Sequence, residues 1–226
     1  MLAVAETQAA QLRHPEPSQD IEPLSISSTT TPRVLTILSY VLEKLVTRND
    51  KLVLDTVRAG NSLSTFHGVR PPGISLSKYV ERIYKYTSCS PSCFVVGFVY
   101  IDRLVHKYPD SLVVSLNVHR LLVTSVMVAS KILDDVHYNN AFFARVGGVS
   151  NAELNKLELE LLFLLDFDVS VSSRVFESYC QHFEKEMLCN GVAIEKSPLM
   201  NTIDDVTEIS VEDTQISSPS KSNAFD

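Results

Sequence analysis

With 226 residues, 45% of them hydrophobic, the chain has room for one domain with a buried core, and its net charge of -7 is the opposite of the basic footprint that nucleic-acid binding demands. No apolar run approaches the roughly 18 residues a membrane span needs, the most tempting one being broken by Asp102. The amino terminus, MLAVAETQAAQLR, carries Glu6 and no basic lead, so it does not read as a secretory signal. An intracellular protein, of nucleus and/or cytoplasm, is expected, with neither membrane nor nucleic acid as a partner.

Cys89, Cys93, Cys180 and Cys189 fit a reducing compartment, since a domain of this size does not require disulfide staples. Cys89 and Cys93 have no second close pair or nearby histidine to complete a zinc set, so no metal and no cofactor are expected.

In chain order, residues 1–32 are rich in Ser, Thr, Pro, Gln and Glu and read as a disordered arm. Thr31-Pro32 looks like a cap with proline at the first helical position, and Val34, Leu38, Val41 and Leu45 continue a helix to about Thr47. Asn49 to Gly73 mixes short apolar pieces with Gly60, Gly68, Pro71 and Pro72, which supports only a connector with a turn or two of helix. Leu76, Tyr79, Val80, Ile83 and Tyr84 predict a helix ending near Thr87. Ser90-Pro91 opens another that is apolar on nearly every face to His106, and Pro109 stops it.

The central stretch is Ser115 to Asp135. Asn117 can cap it by accepting from the following amides, and no charge occurs from Leu121 to Ser130. A helix apolar almost all round needs other helices around it, so this one is expected as the central rod of a bundle. Lys131 closes it, as lysines in a last turn ordinarily do by offsetting the macrodipole.

Asn139 or Asn140 opens a short helix, AFFARV, which Gly147-Gly148 ends in a left-handed cap. Ser150 and Glu153 form a capping box for a helix with Leu154, Leu157, Leu161, Leu162 and Leu165 on one side. Glu158 interrupts that side, so it is either an edge residue or committed to a partner. Phe167-Asp168-Val169 breaks the helix, and a last amphipathic one runs from about Ser173 to Met187. The domain is therefore all-α over 33–187, followed by an acidic, disordered tail over 188–226 that leaves the folded part nearly neutral.

Three pieces fall in order: Val99-Tyr100-Ile101-Asp102-Arg103-Leu104, then Val128-Ala129-Ser130-Lys131, then Leu157-Glu158 with Leu164 to Val169. Together they resemble the cyclin box, with YIDR on its second helix, ASK closing the third, and a glutamate nine residues ahead of the phenylalanine that ends the fifth. The stretches ISLSKYVERIYKYTSCSP, NVHRLLVTSVMVASKILDD and NKLELELLFLLDFDV are similar to the small P-type or U-type plant cyclins, relatives of the fungal phosphate-starvation cyclin. The resemblance covers roughly residues 33–187.

It implies a single five-helix cyclin box around the central apolar helix, with a preceding helix and flexible tails. It also implies a non-catalytic subunit that binds and activates a cyclin-dependent protein kinase in cell-cycle or phosphate signalling. Lys131 would donate to, and Glu158 accept from, kinase backbone. Ile132 and Phe167 would supply the apolar surround, although both fit plain core packing equally well. Ser218, in Ser218-Pro219-Ser220-Lys221, is a candidate phosphorylation site for such a kinase; the alternative is an inert tail.

Departures from the mitotic pattern are the lack of room for a second repeat, the absence of Trp, and the absence of a clear arginine partner for Asp102. Two other classes compete. Transcription factors of the same fold bind DNA, which the near-neutral box argues against. An enzyme site at Asp134-Asp135-Val136-His137 competes with a solvated turn and lacks a second ligand cluster.

Overall fold

The computed structural model describes residues 31–55 and 62–189. All but the last two residues of the expected arm and all but the first two of the expected tail, Ser218 included, lie outside them. The described residues form seven α-helices and no strand: α1 (Arg33–Asp55), α2 (Leu76–Thr87), α3 (Pro91–Lys107), α4 (Val118–Leu133), α5 (Asn140–Gly147), α6 (Asn151–Leu164) and α7 (Ser173–Cys189). The all-α expectation holds, with α2 to α6 as the box, α1 before it and α7 after it.

Helix α4 is the rod. Every residue from Leu121 to Ser130 is buried, against α3, α5, α6 and α2. Its one charge before Lys131 is Arg120, whose Nε donates to Glu153 at 2.7 Å. Close approach of α3 to α4 depends on Gly97, where an added Cβ would lie 3.2 Å from both the Cγ2 and the backbone N of Val126.

Local signals that involve only neighbouring residues are seen as read. Asn139 accepts from the Phe142 amide at 2.9 Å, Ser150 from the Glu153 amide at 3.1 Å, and Gly148 takes φ 72°. The capping box is only half made, because the Glu153 side chain goes to Arg120 instead.

Two readings need correction. Asn117 does not cap α4 with its side chain; buried, it turns back to accept from Val114 N and donate to Leu112 O, both at 2.9 Å, so it ties down the loop before the helix. And α1 does not stop near Thr47 but continues to Asp55. The buried Asn49 donates to Val113 O at 2.9 Å and Asp50 accepts from Ser115 N at 3.0 Å. These bonds secure the α3–α4 loop, and the helix must be long enough to present both residues. Farther along the connector, a 3-10 turn at Ser64–Phe66 buries Phe66.

Helix α7 packs on α1 and α3. Phe183 is fully buried, with its ring centroid 5.0 Å from that of Phe98, while Val175, Phe176, Tyr179 and Cys180 are half-buried. Asp102 has a partner after all: the Tyr179 hydroxyl donates to it at 2.6 Å. Burial, and then the adjacent carboxylate, raise the Tyr179 pKa and keep that donor protonated.

His119 lies under α2 with Nε2 3.0 Å from Ile74 O. A carbonyl only accepts, so Nε2 carries the hydrogen and Nδ1 is left buried without a partner. Burial pushes this histidine below its usual pKa of 6.5, and Arg120 adds to the effect. The unfolded chain therefore takes up the proton more readily, and stability falls as pH drops below about 6.5. Thermal unfolding at pH 7.5 and 5.5 should show a loss that shrinks in His119→Gln; an equal loss in both proteins would assign it to another group. Gly97→Val should lower stability by about 1–3 kcal/mol in the same measurement, through overpacking between α3 and α4.

Candidate functional site

Burial of α4 ends at Lys131, and the site is built at that boundary. The chain leaves the bundle after Ser130, so Lys131 reaches across to α6, where its Nζ donates to Glu158 Oε1 at 2.5 Å. The other oxygen, Oε2, accepts from Asn140 Nδ2 at 2.6 Å. The two ionic side chains keep 28% and 17% of their surface exposed, so the pair is mostly buried but still meets water at the rim.

Large apolar side chains are left in solvent on the same helices and in the turn after α6. Ile132 is 54% exposed and Phe167 57%, so neither is core. On α6, Leu159 and Phe163 are 57% and 63% exposed and lie one turn apart, and the Phe163 and Phe167 rings meet edge to face at 5.2 Å. Leu159, Phe163 and Phe167 thus make one open apolar stripe beside Glu158. Leu133 and Val136, after Ile132, are also exposed.

The sequence reading missed Leu159, Phe163 and Asn140. The first two carried a signal: they fall off the buried Leu154, Leu157, Leu161 and Leu165 stripe, and apolar residues off the core face of a helix have no packing reason to be there. Asn140 carried none, since its contact is made across eighteen positions of sequence.

Phe167 is held outward at backbone expense. Asp166 and Phe167 have φ of 51° and 60°, in the left-handed region that a bulky side chain rarely adopts. The turn persists because α3 grips it. Arg103 donates to Asp168 O at 2.7 Å and to Ser170 O at 2.8 Å, and the Tyr100 hydroxyl to Val169 O at 2.8 Å. Lys107 donates to Leu164 O at 2.9 Å and pairs with Asp166. The YIDR segment is therefore a clamp: Tyr100 and Arg103 fix the turn bearing Phe167, while Asp102 holds α7.

Asp134 is a structural cap. Its Oδ2 accepts from Ser90 N and from Cys93 Sγ, each at 3.2 Å, joining the end of α4 to the start of α3. Asp135, Val136 and His137 are exposed, and among the described residues no group of three or more His, Cys, Asp or Glu is placed to hold a metal. Nor is any described helix long and apolar enough to cross a membrane.

A five-helix box with an apolar central helix, a clamped turn and a Lys-Glu pair at its rim defines an all-α helical domain. Residues 29–169 match the family model for cyclins, and the chain belongs to the cyclin family. It is 72% identical over 170 residues to Cyclin-U1-1 of Arabidopsis thaliana, an alignment covering 75% of this chain and 81% of that protein. It is 48% identical over 155 residues to Cyclin-U4-1 of Arabidopsis thaliana, covering 69% and 76%. It is also 48% identical over 162 residues to Cyclin-P3-1 of Oryza sativa subsp. japonica, covering 72% and 68%. The resemblance to plant U-type and P-type cyclins is borne out, and with it a cyclin regulatory role.

The strain at Phe167 has a measurable consequence. Phe167→Ala and Phe167→Gly remove the same ring, but only the alanine keeps a Cβ at positive φ. The glycine variant should be the more stable of the two by about 1 kcal/mol in denaturant unfolding. Equal stabilities would mean that the turn relaxes once the ring is gone.

Proposed function

We propose that this chain is a non-catalytic regulatory subunit that binds and activates a cyclin-dependent protein kinase, docking through Lys131 and Glu158 within the apolar surround of Ile132, Leu159, Phe163 and Phe167. The supporting observation is the mostly buried charged pair beside an open apolar stripe. A partner that covers the stripe removes it from water and desolvates the pair at the same moment. Family membership supports the choice of a kinase as that partner. Docking against the kinase's mobile regulatory helix turns it inward, completing the kinase's own Lys-Glu ion pair and ordering its activation segment. Cell-cycle or phosphate signalling is the setting that the likeness to small plant cyclins favours, in nucleus and/or cytoplasm.

In the free chain the pair keeps a path to water at the rim, so its contribution lies nearer to that of exposed bridges, about 0.2–1 kcal/mol, than to that of a fully enclosed pair. Lys131→Ala and Glu158→Ala should therefore melt within a few degrees of the parent, at about 2–4 °C per kcal/mol. In a closed interface, losing either leaves unpaired partners and costs about 2 kcal/mol or more, roughly thirtyfold in affinity. A pull-down with the parent chain identifies the kinase, and titration of that purified kinase with each variant supplies the test. Folded variants that bind like the parent would refute the assigned site.

A further inference from the structure

We propose that Asn140 is the positioning residue of the docking carboxylate: its amide, more than the Lys131 ammonium, determines where Glu158 is presented to a partner. The inference rests on the docking role assigned to Glu158 above.

A glutamate on a helix surface has three side-chain torsions, and one contact to a lysine does little to select among them. Lysine is itself a flexible stem bearing a point charge, so it follows the carboxylate instead of orienting it. Asn140 differs in each respect. Its side chain is short, and it stands on the first residue of α5, directly after the Asn139 cap. Three and four residues on, Phe143 and Ala144 root that helix in the core.

The orientation of its amide is settled by its neighbours. An ionised carboxylate only accepts, so the NH2 group must face Glu158. The same nitrogen also donates to Asn155 Oδ1 at 2.8 Å, one turn earlier on α6. Both of its hydrogens are thereby used, one on each acceptor, and the amide is braced against the face of α6 from which Glu158 projects.

Each Glu158 oxygen consequently has a partner inside the chain, Lys131 on one and Asn140 on the other. These partners also flank the loop that joins α4 to α5, Lys131 in the last turn of α4 and Asn140 on the first residue of α5. Fixing Glu158 thus fixes the span that carries the exposed Ile132, Leu133 and Val136. Without Asn140, one carboxylate oxygen is released and the loop loses its tie at the α5 end.

The test measures affinity for the purified kinase recovered with the parent chain, alongside thermal unfolding, for Asn140→Ala, Glu158→Ala and the double variant. Asn140→Ser is included as a second probe, because its hydroxyl is too short to span both acceptors and serine is well tolerated in a first helical turn. We expect both Asn140 variants to melt close to the parent and to bind about tenfold more weakly. In the Glu158→Ala background, Asn140→Ala should change affinity by less than about twofold, because the residue acts through the carboxylate that is no longer there. Parent-like affinity of the folded Asn140 variants overturns the proposal, as does an undiminished tenfold loss in the Glu158→Ala background. Unfolding of both the alanine and the serine variants also overturns it, assigning Asn140 to the fold. Glu158→Ala that binds like the parent refutes the docking reading itself. Weakened Glu158→Ala beside unaffected Asn140 variants refutes only the positioning role.

Discussion

The structure depends on one constraint, that α4 has to be covered on every side. Ten consecutive residues without a formal charge, all of them buried, give a helix that water would not tolerate alone. The surrounding elements are arranged to cover it, with α3 brought close by Gly97 and α5, α6 and α2 on other sides. The polar atoms that this burial encloses are mostly satisfied within the helix, as where Thr124 donates back to Arg120 O at 2.7 Å and Ser130 to Met127 O at 2.9 Å. The candidate site begins where the constraint ends. Lys131 is the first charge after the buried run, and it is paired by reaching across to Glu158 on α6.

Unfavourable local geometry is found in the turn that follows α6. A phenylalanine in the left-handed region lowers stability through its backbone, and its ring, more than half exposed, regains little of that through burial. A set of donors from α3 keeps the turn in place. The side chains that gain most from a partner are thus held in an open position before any partner arrives. Little ordering remains to be done on association, which is the usual route by which preorganised surfaces bind tightly for their area.

What was legible in the sequence follows from how far each signal reaches. Helix identities, the Asn139 and Ser150 caps and the Gly148 stop are decided within four residues, and single-chain pattern reading finds them. The end of α1 is decided by Asn49 and Asp50 meeting carbonyl and amide groups more than sixty positions away, and no local rule reports that. Asn117 shows the same limit from the other side. Its residue type suits a cap, but its side chain was taken by the preceding loop. The Tyr179 partner of Asp102 was hidden because family expectation favoured an arginine, whereas a phenol from α7 supplies the donor. At the site, Lys131 and Glu158 were found through motif order, while Leu159 and Phe163 were passed over as ordinary helix residues.

The residues of the site separate into those that hold it and those that it presents. Arg103, Tyr100 and Lys107 bond backbone carbonyls of the turn, so their loss would leave acceptors unpaired and let the chain reversal drift. Ile132, Leu159, Phe163 and Phe167 contribute little core of their own, and their removal leaves the buried stripe of α6 intact. Glu158 stands between the two groups: bonded within the chain on both oxygens, yet still open to solvent over part of its surface. A carboxylate in that position joins the folded frame to the exposed apolar stripe. On the proposed docking role, the precision of docking would be inherited from the α5 and α6 backbones and not from flexible side chains alone, and would be lost when either the brace or the carboxylate is removed.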